Sequence, residues 1–257
     1  MLWGFQHCLK KCARVCRKLG RVALENFLPT HCEACSELLS SGQTLCEECA
    51  RDAALLINVA PGMCWCCSRL FWGAPPSPRR CWQCERLNPA FLNVVAVLRF
   101  QGVVRDLVHR FKYGRRLHLK RLLGRWLEEG LLDVRLRDPP VDALVAVPLH
   151  WWKQARRGYN QAGLLTGELS ARTGLGVVDA LVRPQGTGSQ TRLDRAERCA
   201  NIRRAFAARK NAEKKLAGRH LLVVDDVLTT GATLDACARV LLEAGAASVR
   251  GLVLARR

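Results

Sequence analysis

The stretch VVDDVLTTGAT (residues 223–233) ends an apolar run with two adjacent acids, Asp225 and Asp226, and follows them with Thr229, Thr230, Gly231, Ala232 and Thr233. The apolar run predicts a strand and TLDACARVLLEAG a helix, so the five small or hydroxylated residues fall on a strand-to-helix turn. There, backbone N–H groups can converge on a dianion with a helix N-terminus behind it. Gly231 allows close approach and the threonine hydroxyls add donors. Carboxylates touching a phosphate would repel it; Asp225 and Asp226 suit sugar hydroxyls instead, met directly or through Mg2+ and its waters. A ribose 5-phosphate satisfies both halves. Neither GxxxxGK[ST] nor GxGxxG occurs, which rules out a Walker loop and removes support for a dinucleotide site. The competing reading is an Asp-rich turn that only caps the next helix.

Cysteine supplies a second chemistry. Cys32 and Cys35 are followed by Cys46 and Cys49, and Cys64 and Cys67 by Cys81 and Cys84: two CxxC…CxxC quartets among 14 cysteines. Two residues between thiolates let both point at one ion, and two such turns complete the closed four-thiolate shell of structural Zn2+. The same ligands could hold an iron–sulfur cluster. In the CWCC stretch Cys66 rivals Cys64 or Cys67, and crossed pairing of the two quartets stays open. A segment with so few large apolar residues would take its folding free energy from the metal. Cys8, Cys12 and Cys16 recur every four residues, the spacing of a packed helical face.

The elements that must position these residues follow from hydropathy. Residues 94–100, 143–149, HLLVVDD and VRGLVLA read as strands. Between them lie one or two basic helices over 103–130, interrupted around YGRR, a helix ending at Gly174 and a helix stopped by Gly245. Strand and helix alternating in this way predict an α/β fold, a doubly wound parallel sheet. The domain expectation is a basic amphipathic helix at 1–27, a cysteine-rich part at 28–89 and the sheet domain at 90–257.

With 41 Lys and Arg against 22 Asp and Glu the formal charge is +19, which points to anionic partners. Nine basic residues and one acid lie between Arg99 and Arg125. These cations, with Trp151 and Trp152, suit single-stranded nucleic acid as well as pyrophosphate. No window approaches the ~18 apolar residues of a membrane span, and the start lacks a secretory pattern. The expectation is a cytoplasmic protein, with the basic helix leaving peripheral contact at the inner membrane face open.

VVDDVLTTGAT resembles the phosphoribosyl pyrophosphate (PRPP) motif of type I phosphoribosyltransferases. The paired CxxC elements, VLRFQGVVRDLVHRFKYGRR, VPLHWWKQARRGYNQA, LDRAERCANIRRAF and this motif occur in the order seen in ComF-type competence proteins, the GntX or amidophosphoribosyltransferase-like group, over roughly residues 28–257. The resemblance implies a type I phosphoribosyltransferase fold behind an N-terminal double zinc ribbon. It implies that Asp225 and Asp226 bind the ribose hydroxyls and residues 229–233 the 5-phosphate. Pro148, Leu149 and His150 would form the pyrophosphate loop, with Arg156 and Arg157 neutralising the leaving group. Residues 186–204 would be a flexible loop closing over the reacting centre, and Lys112 and Tyr113 match the family pattern. The implied reaction displaces pyrophosphate from Mg2+-bound PRPP onto an unknown acceptor. The alternative is a non-catalytic protein that senses PRPP or handles single-stranded DNA in natural transformation, with competence-machinery proteins as partners.

Overall fold

The computed structural model describes residues 30–39, 42–53, 62–71, 80–184 and 205–257. The basic helix expected at 1–27 and the closing loop expected at 186–204 lie outside the described residues. The chain divides into two compact units, Met1–Asp52 and Ala53–Arg257. The second cysteine quartet therefore shares a unit with the sheet, whereas the sequence grouped both quartets at 28–89.

In the first unit, β1 (Thr30–His31) pairs antiparallel with β2 (Leu38–Leu39), and α1 (Glu47–Asp52) follows. Cys32 and Cys35 occupy the β1–β2 turn, Cys46 precedes α1 and Cys49 lies within it.

The second unit opens with the same device. The Cys32 and Cys64 N–H groups each donate across their turn, to Glu37 and Arg69 C=O, at 2.7 Å. Ser36 and Ser68, one residue past the second cysteine, both take positive φ (67° and 56°) and donate N–H to the first cysteine's C=O at 2.9 Å. A short helix again follows the third cysteine and carries the fourth, here α2 (Trp82–Leu87) after Cys81 and with Cys84 inside it. The two quartets are one local motif used twice.

The sheet is parallel and four-stranded, in the order β3 (Val94–Arg99), β8 (Ser248–Arg256), β7 (His220–Leu228), β4 (Ala143–Ala146). All but one residue of β3 and every residue of β8 are buried, as strands covered on both faces must be. Four further helices are α3 (Gly102–Tyr113), α4 (Lys120–Gly130), α5 (Trp151–Arg157) and α6 (Gln161–Thr173). A hairpin, β5 (Leu181–Val182) with β6 (Ala207–Ala208), leads through α7 (Glu213–Leu216) to β7, and α8 (Ala232–Glu243) joins β7 to β8.

Adjacent residues of β8 show that helices cover both faces. A Cβ on Gly251 would meet Leu234 of α8, whereas the Leu252 side chain meets the end of α4 at Gly130. α4 packs on α6, so those two share a face and α8 takes the other. A bridge from Leu144 to Val177 extends the sheet beyond β4. The chain thus runs outward from β3 to β4 to Val177 and then returns to β7 and β8. The reversal lies between β4 and β7, the topological switch point at which doubly wound sheets bind ligands.

β4 ends at Ala146, shorter than the strand expected over 143–149, and β7 runs to Leu228, two residues beyond the expected end. Past Val224 only β8 continues beside β7, which opens the crevice on the β4 side. Residues 151–157 form a helix that the sequence pattern did not announce; none of its residues is buried. Among the described residues no helix is long and apolar enough to cross a membrane.

Candidate functional site

Asp225 and Asp226 sit on β7 just past the last residue paired with β4. Strand alternation sends them to opposite faces. Asp226, nearly buried, forms an ion pair with Lys112 Nζ of α3 at 2.8 Å. Asp225 lies on the α8 side, where its charge reaches Cys237. It accepts a hydrogen bond from the Asp226 N–H at 2.8 Å. Burial, and then the neighbouring Asp226 charge, pushes the Asp225 carboxyl up to about 7 against the opposing pull of Lys112.

Residues 229–233 leave β7 as predicted and enter α8. Thr229 and Thr230 are exposed, and Gly231 caps the helix with φ 85°, a left-handed conformation that glycine adopts without strain. The first N–H groups of α8 have no acceptor within the helix, so this turn presents donors to an anion. Thr230 Oγ1 accepts from Ala232 N–H at 3.4 Å.

Across the crevice, residues 147–150 follow β4. Val147 N–H donates to Val224 C=O at 3.1 Å and Asn160 Nδ2 to Val147 C=O at 3.0 Å, which fixes the segment before Pro148, Leu149 and His150. His150 Nδ1 accepts from Trp152 N–H at 3.3 Å and so caps α5.

Behind this loop stands an arc of cations. Arg156 lies over the Trp152 ring at 5.4 Å. Arg157 lies over Tyr113 at 4.6 Å and donates to its hydroxyl at 2.9 Å, so α5 and α3 meet through this pair. Lys153, whose residue is exposed as a whole, is held below the ordinary lysine range by partial desolvation among its neighbours and then by Arg183, Arg157, Lys112 and Arg156. His150 is pushed down by burial, Arg183 and Lys153. Arg183 follows β5, stacks over Phe206 at 5.2 Å, and has a buried Nε without a hydrogen-bond partner among the described residues. Lys153 thus has four further cations within electrostatic reach, and Lys112 links this group to Asp226 at the switch point, an arrangement that attracts a polyanion carrying hydroxyls.

The structure brings together Asp225, Asp226, residues 229–233, 148–150, Arg156 and Arg157. Sequence reasoning missed Lys153 and Arg183 as site members. Lys153 had a signal, since it lies three and four residues before Arg156 and Arg157 on one helix face. Arg183 had none; the hairpin that carries it is a tertiary feature.

The two cysteine quartets assemble as Cys32, Cys35, Cys46 and Cys49, and as Cys64, Cys67, Cys81 and Cys84, each with its four sulfurs within 4.8 Å of one another. The Cys35–Cys46 and Cys67–Cys81 sulfur separations are 3.7 Å. A tetrahedron of ~2.3 Å Zn–S bonds has edges of about 3.8 Å, so both sets fit zinc. Cys66 is buried next to the second set but is not one of its four. In that set Cys64 is driven down by its bonds from Cys67 and Cys84, whereas Cys84 is driven far up by Cys64, Cys66 and Cys67. Four thiolates cannot all ionise in this volume without a cation. The quartets could therefore bind zinc.

Residues 155–257 match the phosphoribosyl transferase domain family. The chain is 30% identical over 230 residues to DNA utilization protein YhgH of Escherichia coli (strain K12), covering 88% of this chain and 89% of that protein. It is 30% identical over 238 residues to competence protein F of Haemophilus influenzae, covering 90% and 97%. With competence protein ComFC of Streptococcus pneumoniae it shares 27% identity over 161 residues, 63% and 67% of the two chains. Among solved structures, the allosteric regulatory enzyme of purine biosynthesis aligns at 18% identity with a TM-score of 0.38, covering 56% of this chain but 29% of that one.

Proposed function

The chain belongs to the family of competence protein F and DNA utilization protein YhgH and carries a phosphoribosyl transferase domain, and on that premise we propose that the crevice between β4 and β7 binds PRPP and displaces its pyrophosphate. The observation that carries this reading is the opposition, across one switch point, of Asp225 and Asp226 with the 229–233 turn to the cations Lys112, Lys153, Arg156, Arg157 and Arg183.

In this reading residues 229–233 hold the 5-phosphate through backbone N–H groups and threonine hydroxyls. Asp225 and Asp226 accept from the ribose hydroxyls, directly or through Mg2+-bound water. The segment at Pro148, Leu149 and His150 lies under the pyrophosphate, and Arg156 and Arg157 neutralise it together with Lys153 and Arg183. Mg2+, where bound, supplies further neutralisation of the leaving group. The C1–oxygen bond breaks with its electron pair going to pyrophosphate. The acceptor forms the new bond to C1 and gives up its proton. Cations fixed in place before the reaction favour the charge that develops on the leaving oxygen.

Incubation with PRPP and Mg2+ plus a panel of bases, ammonia and glutamine should release pyrophosphate with at least one acceptor. Binding of PRPP without release under any of them would reduce the reading to a binding protein.

A second reading has its own observation. Trp151 and Trp152 are about half exposed on α5 beside Arg156, an aromatic and cationic surface suited to stacked bases of single-stranded DNA. Loss of single-stranded DNA binding in Trp151→Ala/Trp152→Ala, with PRPP binding retained, would support this role; a double variant that still bound DNA as tightly would remove it.

We also propose the partition at 28–89 and 90–257 as a division of roles, metal-bound ribbons and ligand-bound sheet. A cytoplasmic location belongs to the same proposal, because PRPP is a cytoplasmic metabolite. Partners in the competence machinery follow from the family membership alone.

A further inference from the structure

The second cysteine centre and the phosphate turn touch. A hydrogen-bond chain runs from the centre to Thr230: Arg69, two residues past Cys67, donates Nη2 to Gln83 Oε1 at 2.6 Å, and Gln83, between Cys81 and Cys84, donates Nε2 to the Thr230 C=O at 3.4 Å. A trans peptide points its C=O and N–H in opposite directions. Holding the Thr230 carbonyl toward the ribbon therefore turns the Gly231 N–H away from it, to the side where an anion must lie.

Two further contacts act around the same turn, and a buried cation lies beside it. Ala90, just past α2, donates its N–H to Asp235 in the first turn of α8 at 2.7 Å. Phe91 lies 3.7 Å from the position a Cβ on Gly231 would take. Arg256, at the end of β8, is 9% exposed and lines one cavity with Cys67, Cys84, Thr230 and Gly231. Its Nη1 is buried with no hydrogen-bond partner among the described residues. A centre of four thiolates holding Zn2+ carries two net negative charges, which a guanidinium in that cavity would oppose.

We infer that metal at Cys64, Cys67, Cys81 and Cys84 holds the 229–233 turn in its anion-binding form through Gln83 and Arg256, so that phosphate affinity depends on the loading of this centre and not of the first. The inference rests on the reading of that turn as a phosphate site.

The test titrates ribose 5-phosphate into the full-length zinc-loaded protein, with zinc measured by elemental analysis. Three proteins are compared: wild type, Gln83→Ala, and Cys35→Ser, which opens the first centre. Gln83→Ala should keep its zinc and bind about 5-fold more weakly, the equivalent of one hydrogen bond of ~1 kcal/mol. Its Gly231 and Ala232 amides should exchange with solvent faster than those of the wild type. Cys35→Ser should lose zinc and keep wild-type affinity. Wild-type affinity and exchange in Gln83→Ala would overturn the coupling while leaving the site intact, as would equal weakening in Cys35→Ser. Absence of ribose 5-phosphate binding by the zinc-loaded wild type would instead overturn the phosphate reading itself, and the coupling with it.

Discussion

Asp225 is held at the switch point with its carboxyl raised to about 7, which sets two opposing demands. As an acid whose pKa is higher folded than unfolded, it binds more protons in the native state, so its contribution to stability falls as pH rises from about 4 to about 7. Its ability to accept from ribose hydroxyls grows over the upper part of the same window, as the carboxylate forms. PRPP affinity should therefore increase between pH 6 and pH 8, in a titration repeated at each pH. Asp225→Asn removes the charging cost, so at pH 8 its thermal midpoint should rise by ~2–4 °C while PRPP affinity falls at least tenfold. A midpoint that drops with affinity unchanged would show the carboxylate to be structural. Asp226 lies on the other face of the strand, in an ion pair with Lys112 at 2.8 Å. This division of labour between two neighbouring acids was invisible in the sequence, where they read as an equivalent pair; it arises because β7 continues as a strand through both and alternates their faces.

Among the elements, β3 is the edge strand most in need of cover, and the second cysteine knuckle supplies it. Val94 N–H donates to Cys66 C=O at 2.8 Å, and the fully buried Ser68 donates Oγ to Val94 C=O at 2.7 Å and accepts from Ala96 N–H at 3.2 Å. Arg135, in a fully buried ion pair with Asp133, donates to the same Ser68 hydroxyl at 3.0 Å and to the Trp65 carbonyl at 3.2 Å. An unpaired edge strand is a template for association, so this cover has a solubility role as well. Ser68→Ala leaves two donors and an acceptor unmet, and the urea midpoint should fall by the equivalent of about 2–3 kcal/mol with an unchanged m-value. The cysteine spacing alone announced the quartets, because ligand geometry is local. It could not announce that the second one caps a sheet edge, since Ser68, Arg135 and Val94 meet only in the folded chain. Likewise, the strands of the sheet were legible from their apolar runs, whereas α5 was hidden because a wholly unburied helix leaves no amphipathic period.

For the whole molecule, a chain with a formal charge of +19 places Lys112 of α3, Lys153, Arg156 and Arg157 of α5, and Arg183 after β5 within electrostatic reach of one another beside the crevice. Arg156→Ala/Arg157→Ala should weaken PRPP binding at least tenfold and reduce its salt dependence, measured between 50 and 200 mM salt, because fewer cations then oppose the pyrophosphate. An unchanged affinity would make both residues part of the solvated surface. The fold was readable from the sequence to the extent that it rests on strand runs, and the proposed ligand class rests on the acidic pair and the TTGAT turn. The convergence of Lys112, Lys153 and Arg183 on one point belongs to the topology.

The most direct measurement is calorimetric titration of PRPP with Mg2+ into the wild-type protein and into Asp225→Asn/Asp226→Asn, both shown to be folded by circular dichroism. Saturable binding at one site per chain in the wild type and none in the double variant is the predicted result; equal affinity in the two proteins, or no binding by the wild type, would contradict the assignment of the crevice.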